Sequence, residues 1–331
     1  MIRRPLPSVL CVFLSPVVVA LALPSSAQAQ KYDPNNLPRL PGAELLVEGY
    51  LPERFLLVTE DKTLTLQEDQ IGLEVSPSIS ADGSIVAFAH RDPGDLSRTP
   101  WLIASTYSVK DGKWTDHSEL ACVQGSIAIS PDGSKLACET SRTRIQILDL
   151  KTGKVTSVEG SSQILGGRIS WSPDGRRIAF DKIAPGQRFI EFYAIYIFDI
   201  ETGAISQIGL GQSPSWSPSG EWIAFASYVQ VDRDHSQDSD YYDGRYFSRS
   251  DHQFSIMSSI GTNTRILLGF SSGVDDDSEP VWSPDSKALL LTRVRDPDNG
   301  TFDIYMLDLV THKAAKKFKN VAPVYAWIEA R

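Results

Sequence analysis

The side chains best suited to chemistry lie in one long polar stretch, residues 232–247, and in one short acidic run, residues 275–279. Carboxylate oxygens can coordinate Ca²⁺ together with water, and aromatic rings favour contacts with a protein or a glycan. The stretch supplies the candidate partner-binding residues Asp232, Asp234, Asp238, Asp240, Tyr241, Tyr242, Tyr246 and Phe247. The run supplies the candidate Ca²⁺ ligands Asp275, Asp276, Asp277 and Glu279.

Both sets also have a simpler interpretation. The acids fit no EF-hand loop, because Gly244 follows them at the wrong offset, so the alternative is a solvated acidic loop that holds no metal. The aromatic residues would alternatively serve only to pin a long insert to the protein surface. Apart from Ca²⁺, the sequence indicates no cofactor.

Signals for catalysis are weak. The sequence has five histidines: His90, His117, His235, His252 and His312. They form no His-x-His or His-Glu-x-x-His pattern. Acid pairs on the same stretches keep a glycan-processing enzyme open as an alternative, although no two carboxylates stand out as acid and base. We therefore predict a protein that is not an enzyme.

The elements that position these residues are built on a repeated turn. Ser172-Pro173-Asp174-Gly175 lies between two short, alternating apolar runs, which is typical of a β-hairpin. Proline presets φ at the first central position, and the closing glycine takes the left-handed conformation, where a Cβ would cost roughly 1–2 kcal/mol. The turn recurs, and the structural glycines that close its copies are Gly83, Gly133, Gly175 and Gly220, with Ser286 in the last copy.

The spacing of these turns predicts the fold. Their closing residues are 50, 42, 45 and 66 positions apart, and a strand-rich period of about 40–45 is the sequence sign of a β-propeller. Residues 320–328 resemble one more inner strand, and three strand-like runs near the N-terminus lack an inner strand of their own. We therefore predict an all-β, six-bladed β-propeller of four-stranded antiparallel blades over residues 42–331, closed by a C-terminal strand that joins the N-terminal blade.

The repeat has a family resemblance. Ser-Pro-Asp-Gly-x-x-Ile-Ala-Phe, followed by Ile-Tyr-x-x-Asp-x-x-Thr-Gly, resembles the six-bladed TolB propellers, and the likeness covers residues 42–328. It implies a WD-like repeat scaffold for protein–protein interaction in the cell envelope, since TolB works in the periplasm with the peptidoglycan-associated lipoprotein. TolB carries an α/β domain ahead of its propeller, and we expect this chain to lack it. A fold resemblance alone does not assign a function.

The repeat also predicts which side of the propeller binds. Each blade has four strands, labelled A to D in chain order, with A the inner strand. The A–B and C–D turns lie on one face of the propeller, and the B–C and D–A connections lie on the other. The long connections, including residues 228–252 and 269–279, fall on the second face. Binding residues concentrate on loops carried by a rigid scaffold, so we expect the two candidate sets to lie there, close together, facing an envelope protein or a glycan.

The N-terminus is typical of a secretory signal peptide, residues 1–29. Arg3 and Arg4 precede an apolar run, and Ala27-Gln28-Ala29 fits a cleavage site; an uncleaved membrane anchor is the alternative. Cleavage removes two arginines and no acid, so the net charge goes from −9 to −11, which disfavours nucleic-acid binding. Because no later stretch approaches 18 apolar residues, we expect no membrane span after cleavage. We expect a periplasmic or secreted monomer. Residues 30–41 are predicted to form an extended linker ahead of the propeller.

Two cysteines follow the leader, Cys122 and Cys138. An oxidising compartment would permit a disulfide between them. The hairpin register places Cys138 opposite Ile127, with Cys122 five residues further out, so the chain would have to fold back to bring the Cα atoms close enough. A disulfide and two buried thiols both remain open at this point.

The leader makes a direct prediction. If residues 1–29 are removed on export, the protein recovered from the envelope or the medium should begin at Gln30. The intact mass should match residues 30–331, and N-terminal sequencing checks the same point. A recovered chain that still carries Arg3 and Arg4 would instead support the membrane anchor.

Overall fold

A computed structural model describes residues 36–49, 54–66, 77–91, 102–140, 144–161, 168–184, 193–231, 239–242, 245–269, 280–296, 301–321 and 323–329. These ranges contain twenty-four β-strands and no helix. Within them, accordingly, no helix is long and apolar enough to cross a membrane. The predicted signal peptide lies outside the described residues.

The strands follow the repeat. Three precede the first repeat: β1 (Ala43–Gly49), β2 (Arg54–Val58) and β3 (Thr63–Thr65). The first two repeats give β4 (Ser78–Ile79), β5 (Ile85–His90), β6 (Leu102–Ser108), β7 (Lys113–Ile129), β8 (Lys135–Thr140), β9 (Arg144–Asp149) and β10 (Val155–Ser157). The third gives β11 (Ile169–Trp171), β12 (Arg177–Ile183), β13 (Tyr193–Asp199) and β14 (Ile205–Leu210).

The last two repeats and the C-terminus supply the remaining strands. The fourth repeat gives β15 (Gln212–Trp216), β16 (Trp222–Val231), β17 (Ser239–Tyr242), β18 (Arg245–Ser258) and β19 (Arg265–Gly269). The fifth gives β20 (Val281–Trp282), β21 (Ala288–Asp296), β22 (Thr301–Asp308) and β23 (Lys313–Val321). The chain ends with β24 (Val324–Glu329).

Antiparallel pairing of these strands makes a propeller. Repeats three, four and five form blades 3, 4 and 5, and β24, β1, β2 and β3 form one further sheet, blade 6. Strands β4 to β10 form a single seven-stranded sheet, in which β7 is the outer strand of blade 1 and continues as the inner strand of blade 2. The inner strands touch in cyclic order, β4, β7, β11, β15, β20, β24 and back to β4. Six blades therefore close a ring, as predicted.

Closure uses the two ends of the chain. In blade 6, β24 pairs with β1 so that Leu45 lies opposite Trp327 and Val47 opposite Val324. Leu45, Val47 and Val324 are all buried. The predicted joining of the C-terminal strand to the N-terminal blade is confirmed, and it covers an edge of β1 that would otherwise be free to pair with another chain.

Side-chain hydrogen bonds explain why the repeated turn forms. In the third repeat the Ser172 hydroxyl donates to Asp174 Oδ1 (2.5 Å) and accepts from the backbone N–H of Arg177 (2.9 Å). Asp174 Oδ1 also accepts from the backbone N–H of Arg176 (3.0 Å). The turn glycines all have φ between 67° and 78°, in the left-handed region: Gly83, Gly133, Gly175 and Gly220. Serine, aspartate and glycine thus each satisfy a separate requirement of the turn.

The same hydrogen bonds act on the aspartates. The Ser283 hydroxyl and the Lys287 backbone N–H hold the pKa of Asp285 below its ordinary value. At a C–D turn, the hydroxyl and the backbone N–H of Thr152 lower the pKa of Asp149 in the same way. The pKa is also lowered at the turn aspartates Asp132, Asp174, Asp199 and Asp308. The turns therefore depend on ionised carboxylates.

Tryptophans join neighbouring blades. Trp171 on β11 donates from Nε1 to the carbonyl oxygen of Ala128 on β7 (3.1 Å), and Trp282 on β20 donates to the carbonyl oxygen of Ser215 on β15 (2.9 Å). Both indoles are buried. The rings of these hairpin residues therefore pack between blades, where burying the N–H requires the acceptor that the adjacent inner strand provides.

Cys122 and Cys138 are joined in a disulfide, with Cα atoms 5.8 Å apart. Cys138 lies opposite Ile127, as the sequence predicts, but Cys122 lies opposite Thr140 because a register shift takes up the residues between Cys122 and Ile127. Such a bulge lets one strand hold extra residues against a regular partner. The geometric objection raised from the sequence was therefore wrong, since it assumed an unbulged strand.

Closure predicts that deleting residues 323–331 should cause aggregation or lower the melting temperature by about 10 °C or more. The deletion removes β24, so it uncovers the edge of β1 and the apolar cluster beneath it. Thermal unfolding with light scattering measures both effects. Deleting only residues 330–331, which follow β24, is the control and should leave melting unchanged. A 323–331 deletion that melts like the parent would contradict the closure.

The turn aspartates predict acid sensitivity. Their folded-state pKa values lie below the unfolded value of about 3.9, so their stabilisation is fully present above that value and is lost as the pH falls through the lower folded values. Urea unfolding should show that Asp285→Asn has a lower free energy of unfolding than the parent at neutral pH. This difference should become smaller as the pH is lowered to about 3. A gap that stays constant over this range would contradict the assignment.

Candidate functional site

One face of the propeller is tied together by backbone hydrogen bonds. In blade 1 the N–H of Val109, at the C–D turn, donates to the carbonyl oxygen of Ser84, just after the A–B turn (2.9 Å). The same bond recurs in the next four blades at 2.8–2.9 Å, from Leu150 to Ser134, Ile200 to Arg176, Ser259 to Glu221 and Leu309 to Lys287. The A–B and C–D turns therefore form one layer, which we call the turn face.

Turns of adjacent blades also contact each other. The N–H of Ala81 donates to the carbonyl oxygen of Pro131 (3.0 Å). Between blades 4 and 5, Ser219 donates its N–H to the hydroxyl of Ser286 (2.9 Å), and Ser286 has a φ of 59°. Ser219 stands where other turns have aspartate and Ser286 where they have glycine, so the two departures from the repeat are complementary. These contacts leave the turn face little freedom to vary.

On the opposite side, the loop face, lie the strand ends from which the B–C and D–A connections leave. The largest of them, in blade 4, is not the loop predicted from the sequence. Strands β16 and β18 extend into it and pair with each other, with Tyr228 opposite His252 and Val231 opposite Tyr246, and β17 pairs with the other edge of β18. Valine, tyrosine and phenylalanine favour strands and occur in β16, β17 and β18. We call residues 229–251 the blade-4 hairpin.

The structure brings part of the predicted partner-binding set together. Asp240 lies opposite Phe247, and Tyr241 lies opposite Tyr246, on β17 and β18; Tyr242 follows on β17. The other predicted residues of this surface, Asp232, Asp234 and Asp238, lie outside the described residues, as do the candidate Ca²⁺ ligands Asp275, Asp276, Asp277 and Glu279. In the described part of the chain, no group of three or more His, Cys, Asp or Glu could hold a metal ion.

The base of the blade-4 hairpin is held by a tyrosine. Tyr228 is buried, and its hydroxyl accepts a hydrogen bond from the backbone N–H of Tyr193 at the start of β13 (2.8 Å). One residue earlier on β16, the Ser227 hydroxyl lies 2.8 Å from the Ser255 hydroxyl on β18. The ribbon therefore starts from a point fixed to both blade 3 and blade 4.

A polar cluster in blade 1, in which the buried His90 and Ser105 contact the half-exposed Asp116, was not foreseen from the sequence. Asp116 Oδ1 accepts from the Ser105 hydroxyl (2.7 Å) and the Trp114 indole (2.5 Å), and it lies 3.2 Å from His90 Nε2. Burial raises the pKa of Asp116, but the bonds from Ser105, Trp114 and His90 outweigh it and hold the pKa low. Ser105 bonds to the aspartate and not to His90, so the cluster lacks the serine–histidine contact that an activated nucleophile requires.

Other charged side chains lie inside the blades. Glu139 and Asp181, each the fifth residue of its B strand, are 2% exposed. On β12 the next residue, Lys182, donates to the carbonyl oxygen of Gly160 (2.8 Å) and lies 4.5 Å from the ring centre of Tyr196, and burial lowers its pKa. In the sequence, Glu139 and Asp181 each follow a run of apolar strand residues. This pattern could have been used to predict that their carboxylates are buried.

Comparison with known proteins agrees with the fold. No known family model matches the chain. An uncharacterized peptidase, YuxL of Bacillus subtilis, is 31% identical over 127 residues, which is 37% of this chain and 16% of that protein. The chain thus spans less than a fifth of this relative.

Two solved structures share the architecture. TolB from Acinetobacter baumannii has a TM-score of 0.61 at 15% identity, over 86% of this chain and 66% of that chain. An oligogalacturonate lyase in complex with manganese has a TM-score of 0.55 at 14% identity, over 84% of this chain and 74% of that chain. At these identities the likeness concerns the fold, which is that of a TolB-like propeller.

Proposed function

We propose that the protein is an exported, non-enzymatic propeller that binds a protein of the cell envelope through the blade-4 hairpin. One observation carries this proposal. Strands β16 and β18 have ten and fourteen residues, whereas the B and C strands of blades 1–3 have six or seven. The extra length lies at the loop-face end of blade 4, where a ribbon extends from a rigid disc.

The composition of the hairpin suits a protein partner. Its sequence holds six aspartates and three arginines within residues 232–251, together with Tyr241, Tyr242, Tyr246 and Phe247. Acidic groups steer and orient a partner with a basic surface, and aromatic groups supply most of the energy in protein interfaces. A partner whose contact surface is basic and contains apolar pockets fits this chemistry.

Two independent features support export. The N-terminus has the charged, apolar and small-residue segments of a secretory signal. Cys122 and Cys138 form a disulfide, and such bonds persist in oxidising compartments such as the periplasm. Together with the TolB-like fold, these features favour the cell envelope as the place of action.

A glycan-processing or glycan-binding propeller is the second candidate, and one observation favours it. The fold resembles an oligogalacturonate lyase in complex with manganese, and the acids of residues 232–240 and 275–279 are predicted for the same face. In that case the purified protein should bind acidic oligosaccharides with Ca²⁺ or Mn²⁺ present. Changing Asp275, Asp276, Asp277 and Glu279 to their amides should abolish this binding.

The main proposal predicts the effect of removing the hairpin. Because Tyr228 and His252 lie directly opposite each other, replacing residues 229–251 with Asn-Gly should close the ribbon with a two-residue turn. The variant should stay folded, with a melting temperature within a few degrees of the parent, while capture of its envelope partner is lost. Cross-linked pull-down with mass spectrometry identifies the partner, and binding of the purified partner then measures the loss.

A charge-matched pair of variants controls for non-specific effects. Changing Asp232, Asp234, Asp238 and Asp240 to Asn should weaken partner binding at least tenfold and reduce its dependence on salt. Changing four exposed acids outside the hairpin, Glu119, Glu159, Glu201 and Glu221, to Gln alters the net charge equally and should leave binding unchanged. Equal losses in the two variants, or full binding without the hairpin, would overturn the proposal.

A further inference from the structure

The segment ahead of the first strand is not a free linker. The structure places residues 36–42 against the propeller, with Leu40 only 4% exposed. Leu40 and Ala43 are joined by a backbone hydrogen bond (3.1 Å), and Gly42 has a φ of 68°. Proline followed by a glycine of positive φ is the signature of a type II turn. The chain therefore reverses at Pro41-Gly42, and the segment lies back across the sheet that β1 enters.

The apolar residues of this segment fill the seam between the last blade and the first part of the chain. Leu40 belongs to a buried cluster that draws residues from both sides, and the partly buried Leu37 packs against it. Blade 5 contributes Val281, Leu290, Ile304 and Val321 to this cluster, and blade 6 contributes Leu45, Val47, Leu56, Val58 and Val324. The segment therefore contacts both blades at once.

Polar contacts fasten it on each side of the seam. Arg39 donates to the carbonyl oxygens of Thr59 (2.5 Å) and Lys62 (3.1 Å) and to the hydroxyl of Thr63 (2.8 Å), all at the turn between β2 and β3 of blade 6. Asn36 donates from Nδ2 to the carbonyl oxygen of Lys319 on β23, the outer strand of blade 5 (3.0 Å). A planar guanidinium can serve several carbonyls of one turn in a way that an ammonium cannot.

We propose that residues 36–42 are a latch that closes the ring in parallel with β24, with Arg39 holding it to the β2–β3 turn of blade 6 and Asn36 holding it to blade 5. In blade 6, β24 and β1 come from opposite ends of the described residues and are joined by pairing and not by a connecting segment. When β24 separates from β1, strands β1 to β3 lose their link to blade 5 unless the latch holds them. The latch joins these strands to blade 5 by a route that does not involve β24, so the seam opens only when both fasteners are released.

The test measures local opening. Arg39→Met keeps the aliphatic stem and removes the hydrogen bonds, so the melting temperature should fall by about 2–5 °C. Amide hydrogen exchange should become about 5- to 10-fold faster in β1–β3 and β23, with β8–β13 unchanged. Arg39→Lys should be intermediate. Arg144→Met, at an exposed arginine 4.0 Å from Glu159 and away from the seam, is the matched control and should leave exchange at the seam unchanged.

A double-mutant cycle tests the parallel arrangement. Trp327→Ala weakens the docking of β24, and with two parallel fasteners its combination with Arg39→Met should lower the melting temperature by more than the two separate shifts added together. Additive shifts would overturn the proposal, as would exchange that accelerates evenly across all blades or does not change in Arg39→Met. Loss of partner binding plays no part in these readouts, so the latch stands or falls independently of the proposed function.

Discussion

The geometry of four of the five repeats depends on the hydrogen bond from the turn serine to the turn aspartate, and in the fourth repeat Ser219 takes the place of the aspartate. In blade 2, the Ser130 hydroxyl donates to the Asp132 carboxylate, which in turn accepts the backbone N–H of Ser134. The Ser130 oxygen also accepts the backbone N–H of Lys135, the first residue of strand B. Once the A–B turn is fixed, its trailing carbonyl is in place to bind the C–D turn of the same blade. A four-residue motif thereby sets the geometry of a whole blade, and its repetition sets the ring.

The loop face is less regular than the turn face. The B–C and D–A connections need only return the chain to the next strand, and they do so in very different ways. Gly211 alone separates β14 from β15, where a Cβ would lie 2.6 Å from the carbonyl oxygen of Ala226, β7 passes from blade 1 to blade 2 without a break, and blade 4 inserts a ribbon. The length and path of these connections differ from blade to blade, whereas the turns repeat, which is why recognition would evolve on this face and not among the turns.

The sequence predicted what local chemistry decides. Turn residues and strand order follow from the repeat, because each requirement is met within a few neighbouring residues. The joining of β24 to β1 is a distant contact, but it was predictable because the incomplete first and last repeats complement each other. It failed where distant residues decide. The bulge that brings Cys122 opposite Thr140 depends on how β7 is shared between two blades, and the contacts of Arg39 depend on a turn twenty residues later. The ribbon of blade 4 was mistaken for a loop because its many aspartates are typical of loops.

Ring closure explains why the chain needs more than its repeats. Every other blade is built from one continuous segment, so its strands stay together when one of them frays. Blade 6 is made from both chain ends, and only non-covalent contacts oppose their separation. The chain entropy gained on opening is therefore greatest at this seam. Burying Leu40, packing Leu37 against the same cluster and placing a guanidinium on the adjacent turn add stabilisation at the seam where the two chain ends meet.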